Sequence, residues 1–161
     1  LQAIRPDAGA LCCLRLLPDA LIEREMETNR EALRPILGDR RRTPLARLRA
    51  VFEQDSQECA ADSGARQCLI AKLALETGQL SEPVHAAVKF AYDQWIALLA
   101  RTIGEAQAAG ELDPDEDPTR LANVLVMLWE GATIRMQIDR SQQPLDDFFR
   151  FVFDSLLKRS S

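Results

Sequence analysis

The run Val124-Leu125-Val126-Met127-Leu128-Trp129-Glu130-Gly131-Ala132-Thr133-Ile134-Arg135-Met136 decides the fold class. Wound as a helix it is apolar on almost every face, and its only charges are Glu130 and Arg135. A helix that is greasy all round has to be buried. Directly upstream, Asp117-Pro118-Thr119 offers a capping carboxylate followed by proline at the first helical position. Directly downstream, a further helix starts near Gln143-Pro144 and presents Leu145, Phe148, Phe149, Val152, Phe153, Leu156 and Leu157. Together these two helices carry more apolar surface than one small helical domain covers, and large uncovered apolar patches become interfaces. The expectation is a homodimer built on them, through Leu121, Leu125, Leu128, Ala132 and Arg135 of one, and Leu145, Phe148, Phe149, Val152, Phe153 and Leu156 of the other.

Toward the N-terminus helical spacing recurs, and strand-type alternation with β-branched residues is almost absent. The chain therefore reads as all-α, with about six helices. The segment from Ser81-Glu82-Pro83 to about Ala109, stopped by Gly110, sets Val84, Val88, Ala91, Trp95, Leu99 and Ile103 on one face. At a rise of about 1.5 Å per residue it runs to roughly 43 Å, the expected spine of the domain. Before it, Cys68 to Leu75 is short, very apolar and stopped by Gly78. Thr43-Pro44 opens another helix, with a stripe of Leu45, Leu48, Phe52 and Cys59. The first helix is expected from about Pro18 to Leu33, with Leu21, Ile22, Met26 and Leu33 on one side and Pro35 and Gly38 ending it. Residues 1–17 lack helical periodicity and read as an irregular arm, so residues 18–161 form the domain.

A length of 161 residues suits one domain with its own core. Twenty-five acidic against 20 basic residues leave a net charge of −5, which argues against a free-standing nucleic-acid binder. The longest unbroken apolar run, Val124 to Trp129, falls far short of the ~20 residues of a membrane span. No basic stretch followed by a long apolar core opens the chain, so the reading is a soluble cytoplasmic domain without membrane contact. Four cysteines without a C-x-x-C pair and a single histidine, His85, offer no metal-ligand spacing and no His-dependent triad. His85 reads as an ordinary surface residue. No acid/base pair, activated nucleophile or phosphate loop points to an enzyme, and no cofactor is implied.

Three groups of residues together carry a family resemblance. They are Cys68-Leu69-Ile70-Ala71-Lys72-Leu73-Ala74-Leu75-Glu76 followed by Leu80-Ser81-Glu82-Pro83-Val84; Ala109-Gly110-Glu111-Leu112 before Asp117-Pro118; and Trp129-Glu130-Gly131-Ala132 before Arg140-Ser141 and Pro144-Leu145. In order and spacing they resemble the C-terminal ligand-binding and dimerisation domain of TetR/AcrR-type transcriptional repressors. The Cys-Leu-x-x-Lys-Leu element is similar to the NemR-like subgroup. The resemblance implies an all-helical regulatory domain whose last two helices form a dimeric four-helix bundle, with a small-molecule effector received between the earlier helices. It also implies an N-terminal helix-turn-helix domain through which DNA is bound. Where the family has an aromatic-rich stretch before the first regulatory helix, this chain has Leu14-Arg15-Leu16-Leu17-Pro18-Asp19-Ala20-Leu21, of which only Asp19 and Leu21 fit. No residue of this chain is assigned to DNA.

The candidate pocket combines Phe52, Cys68, Leu69, Lys72, Tyr92, Trp95, Leu99, Val126, Trp129 and Met136, apolar walls with a few polar groups. Each of these residues also reads as plain core. Cys68 at a helix start, one turn before Lys72, has the setting of an electrophile- or oxidant-sensing thiol, against the alternative of a small buried hydrophobe. Cys59 reads as packing. Glu130 and Arg135 need partners if buried, and pairing across the dimer is the reading preferred. Arg34, Arg40, Arg41, Arg42, Arg47 and Arg49 form the only basic concentration, read as a solvated connection, and the acidic turn Glu111 to Asp117 as a solubilising balance. The leading expectation is the effector-binding and dimerisation domain of a repressor that senses a small apolar or electrophilic molecule. The alternative is a purely structural helical dimer without a ligand.

Overall fold

The computed structural model describes residues 18–61 and 82–157. Within them run five α-helices: α1 Pro18–Leu37, α2 Pro44–Ala61, α3 Glu82–Ala108, α4 Pro118–Asp139 and α5 Gln143–Phe151, the last continuing into a π-helical turn, Val152–Leu156. No strand occurs among the described residues, and no described helix is long and apolar enough to cross a membrane. The arm 1–17 and the expected helix Cys68 to Leu75 lie outside the described residues.

The spine is as expected. At 27 residues, α3 spans about 40 Å and packs against α1, α2 and α4. It ends at Gly110, whose φ of 73° is the left-handed geometry that closes a helix, with the Glu111 N–H reaching back to the Ala106 carbonyl at 2.8 Å. Asp117 caps α4 by accepting from the Thr119 N–H at 2.9 Å, and Pro118 follows where no donor is needed.

Three expectations are corrected. The first helix does not stop at Leu33: it passes through Pro35 and ends at Leu37. Proline removes the bond to the Glu31 carbonyl, but both residues are exposed, while Leu33 and Leu37 on the other side are buried. The stop is Gly38, whose N–H bonds the Arg34 carbonyl at 3.0 Å and where a Cβ would lie 2.9 Å from that same oxygen. The acidic turn does more than solubilise, because Glu111 accepts from the Leu45 N–H at 2.9 Å and so caps the start of α2. The last segment is not one α-helix. Its final turn closes by a Leu157 N–H to Val152 carbonyl bond of 2.8 Å, five residues back. The wider turn delivers Leu157 to the core, 3% exposed, and leaves Leu156 at 39%.

The core is centred on Phe52, fully buried, whose ring meets Phe148 at 5.1 Å, Trp129 at 5.3 Å, Phe153 at 6.3 Å and Trp95 at 6.4 Å. A smaller cluster of Ile22, Val84, Val88 and Ala91 ties α1 to α3. Tyr92 packs against both clusters.

Candidate functional site

Of the expected pocket residues, Phe52, Leu99, Val126, Trp129 and Met136 are buried together in the main core, with Tyr92 and Trp95 half-buried against it. Cys68, Leu69 and Lys72 lie outside the described residues. Three helices build the aromatic wall: Phe52 from α2, Trp95 from α3 and Trp129 from α4. Edge-on and tilted contacts between such rings hold their relative orientation.

The wall has a polar margin. The Tyr92 hydroxyl donates to the Glu130 carboxylate, bridging α3 and α4. Burial pushes Glu130 above the usual carboxylate range, and the Tyr92 bond works in the opposite direction. Sequence reading missed Asp55. It falls three residues after Phe52 and four before Cys59, on the inward stripe of α2, and a carboxylate interrupting that stripe was the available signal. Burial, and secondarily the neighbouring Glu58 carboxylate, push Asp55 up to about 7. Among the described residues it has no hydrogen-bond or ion-pair partner. No three His, Cys, Asp or Glu side chains come together among the described residues to hold a metal ion.

Two clefts open elsewhere. One, of about 520 Å³, runs over the outer side of α2 between Ile36, Arg42, Glu53 and Gln57. The other, of about 260 Å³, lies between the α3–α4 turn and Leu156–Leu157. Neither is lined by the aromatic wall.

The arginine cluster divides. Arg40, Arg41 and Arg42 are exposed as expected, but Arg47 is buried: its Nη1 donates to the Leu37 carbonyl at 2.7 Å and its Nη2 to Glu105 at 2.7 Å. It joins the end of α1 to α2 and α3, a tertiary role that a run of arginines conceals. Arg49 lies 5.7 and 5.5 Å over the Phe149 and Phe153 rings and pairs with Glu53, clasping α2 to the C-terminal segment.

The residues expected at a dimer interface also divide. Leu125, Leu145, Phe148, Val152 and Phe153 are buried in this chain's own core, and Leu121, Leu128, Ala132 and Phe149 are partly buried against it. Leu156 and Arg135 are exposed. Arg135 is paired within α4, its Nη2 meeting both Asp139 oxygens at 2.9 and 2.8 Å, and Glu130 is taken by Tyr92, so each has a partner inside one chain. The outer face of α4 carries exposed Met127 and Ile138 instead, with Phe151 exposed on α5.

Comparison with known proteins places this architecture. Residues 44–152 match the family described as tetracyclin repressor-like, C-terminal domain. The chain is similar to the transcriptional repressor DhaR of Mycobacterium sp. strain GP1, 37% identical over 90 residues that make up 56% of this chain and 46% of DhaR. It is similar to the transcriptional regulator AcuR of Cereibacter sphaeroides, 39% identical over 108 residues, 66% of this chain and 49% of AcuR. The Escherichia coli repressor NemR matches at 27% over 128 residues, 80% of this chain and 64% of NemR. The crystal structure of a regulatory protein TetR from Rhodobacter sphaeroides superposes with a TM-score of 0.77 at 34% identity, covering 81% of this chain and 69% of that one. The chain spans about half the length of DhaR and AcuR. With the matched segment running from the start of α2 to the π-helical turn, the chain belongs to the tetracyclin repressor-like C-terminal domain family.

Proposed function

We propose that this chain is the effector-binding and dimerisation region of a transcriptional repressor. A small molecule with a largely apolar body is received against Phe52, Trp95 and Trp129, and two copies join through the outer faces of α4 and α5. In the whole regulator the DNA contact falls to a helix-turn-helix module and not to these helices, in keeping with the net charge of −5.

The observation that carries this reading is the double-sided character of α4. Its inner face supplies Ala122, Leu125, Val126, Trp129 and Met136 to the core. Its outer face leaves Met127 63% and Ile138 66% exposed, three turns apart on one side of the helix. Large apolar side chains repeated on the solvent side of a helix are covered in a stable assembly. One element therefore touches both the aromatic wall and the proposed partner, so a ligand that shifts the wall shifts the dimer.

Light scattering on a sizing column tests the assembly. The wild-type chain is expected to elute as a dimer, and the double variant Met127→Glu/Ile138→Glu as a folded monomer with unchanged helical circular dichroism. A monomeric wild type would overturn it. A screen of small organic molecules by thermal unfolding tests the effector half, and an unmoved Tm across hydrophobic, cationic and anionic compounds would favour a purely structural dimer.

A further inference from the structure

The outer face of α4 has the spacing of a coiled-coil seam. Val124, Met127, Gly131, Ile134 and Ile138 follow one another at alternating intervals of three and four residues, the period at which a helix keeps one face turned to another helix. On the opposite side lie the buried Leu125, Trp129 and Met136, so this chain's own core occupies the other face. Of the large apolar side chains exposed among the described residues, Met127, Ile138, Phe151 and Leu156 lie on α4 and the segment after it, and Phe90 alone lies elsewhere. The apolar surface left over by folding is therefore gathered at one place.

The seam is bare at its middle and its two ends differ. A Cβ added to Gly131 would meet nothing within 4 Å among the described residues, and glycine weakens a helix interior. At the centre of an apolar seam, a residue without a side chain lets a second backbone come close. At the N-terminal end, the cleft of about 260 Å³ lies between Leu121, Val124 and Leu156, with Asp113 and Glu116 on its rim. At the C-terminal end Ile138 projects into solvent, followed by Arg140 in the left-handed region at φ 50°, where glycine is favoured. Arg140 is exposed and has no carboxylate partner among the described residues.

The two ends are complementary. Val124 and Ile138 stand two turns before and two turns after Gly131. Resting on the dimer reading above, we propose that a second copy of this chain fills the cleft, its α4 crossing antiparallel to this one at Gly131. A two-fold axis beside Gly131 seats the partner's Ile138 between Leu121, Val124 and Leu156, and brings the partner's Arg140 to the acidic rim at Asp113 and Glu116. Symmetry makes each of these contacts twice. The positive start of one α4 then lies beside the negative end of the other. A parallel pairing would set Ile138 against its own copy and Arg140 against another arginine, leaving the cleft unfilled and its rim unanswered. Sliding the antiparallel pair by about a turn, so that Ile138 meets Met127, also leaves the cleft empty.

Sedimentation equilibrium of the chain reads this register. Val124→Lys and Ile138→Glu each place a charge in both copies of an apolar contact, and each is expected to weaken association at least about tenfold. Combined in one chain they set lysine against glutamate twice, and the double variant is expected to associate within about threefold of the wild type. Gly131→Leu has room inside one chain, so it is expected to abolish the dimer yet raise the Tm of the monomeric Met127→Glu/Ile138→Glu background. Arg140→Gly suits the left-handed backbone, and is expected to weaken the dimer about threefold at low salt with no effect at high salt. Losses that add in the double variant, or a dimer indifferent to Gly131→Leu, overturn the register while leaving the dimer standing. A dimer unmoved by Arg140→Gly at low salt overturns the contact with the acidic rim. A monomeric wild type overturns the dimer, and this contact with it.

Discussion

The Tyr92 hydroxyl on α3 donates to the Glu130 carboxylate on α4, 38 residues away in sequence, and Tyr92 is also the side chain that packs against both hydrophobic clusters. One residue therefore touches the cluster that holds α1 on the spine and the helix that closes the aromatic core. Removing the hydroxyl leaves a half-buried carboxylate without its donor. Tyr92→Phe is expected to cost about 1–2 kcal/mol in urea unfolding, and most of that loss is expected to disappear in the Glu130→Gln background. Additive losses in the double variant would show that the bond contributes nothing.

Asp55 makes stability fall with rising pH. Its pKa, pushed from 3.8 to about 7 in the folded chain, means that the folded state holds the proton more tightly than the unfolded state. The stabilisation is therefore fully present below the unfolded pKa, is lost as pH rises toward 7, and changes no further above it. Asp55→Asn is expected to be more stable than the parent at pH 8 by a few kcal/mol, about 1.4 kcal/mol per unit of pKa displacement. The gap is expected to shrink steadily toward pH 4, as urea unfolding across that range would show. A pH-independent gap would mean that Asp55 titrates normally.

The Arg47–Glu105 pair and the Arg135–Asp139 pair have similar N–O distances, 2.7 and 2.8 Å, and very different surroundings. Arg47 is 5% exposed along its side chain and Arg135 63%. Glu105→Ala leaves a buried guanidinium uncompensated and is expected to cost about 3 kcal/mol. Asp139→Ala is expected to cost at most about 0.5 kcal/mol. Denaturant midpoints of the two variants compare them directly, and equal losses would contradict the burial of Arg47.

The π-helical turn exchanges two adjacent leucines. Continued as an α-helix, the last segment would carry Leu156 inward; the five-residue turn carries Leu157 inward instead. Leu157→Ala is expected to lose about 2–4 kcal/mol, the cost of a core cavity, and Leu156→Ala less than about 1 kcal/mol. Unfolding measured in the Met127→Glu/Ile138→Glu background keeps dimer contacts out of the comparison. The reverse order would restore the straight helix.

Local chemistry was legible in the sequence because its causes are local. The starts at Thr43-Pro44, Asp117-Pro118 and Gln143-Pro144, the stop at Gly110, and the all-helical class follow from capping, proline geometry and a period of about 3.6 residues. Spacing also placed Val84, Val88, Leu99 and Ile103 on the buried side of the spine, and Phe52 and Trp129 in the core. Which side of an element is inside is a different matter where both sides are apolar, as on α4. There, Leu125 goes in and Met127 stays out because α3 and α5 occupy one side only, and periodicity has no term for a neighbour more than a turn away. Arg47 lies in a run of arginines that all look solvated, and its burial depends on a carboxylate 58 residues distant and on the carbonyl at the end of α1. Asp55 reads as one polar interruption until packing buries it and pushes its carboxyl up to about 7. The residues of this domain thus dictate where helices begin and end, while burial, charge pairing and the Tyr92–Glu130 bond arise only when the helices are packed, because each depends on what another helix places opposite.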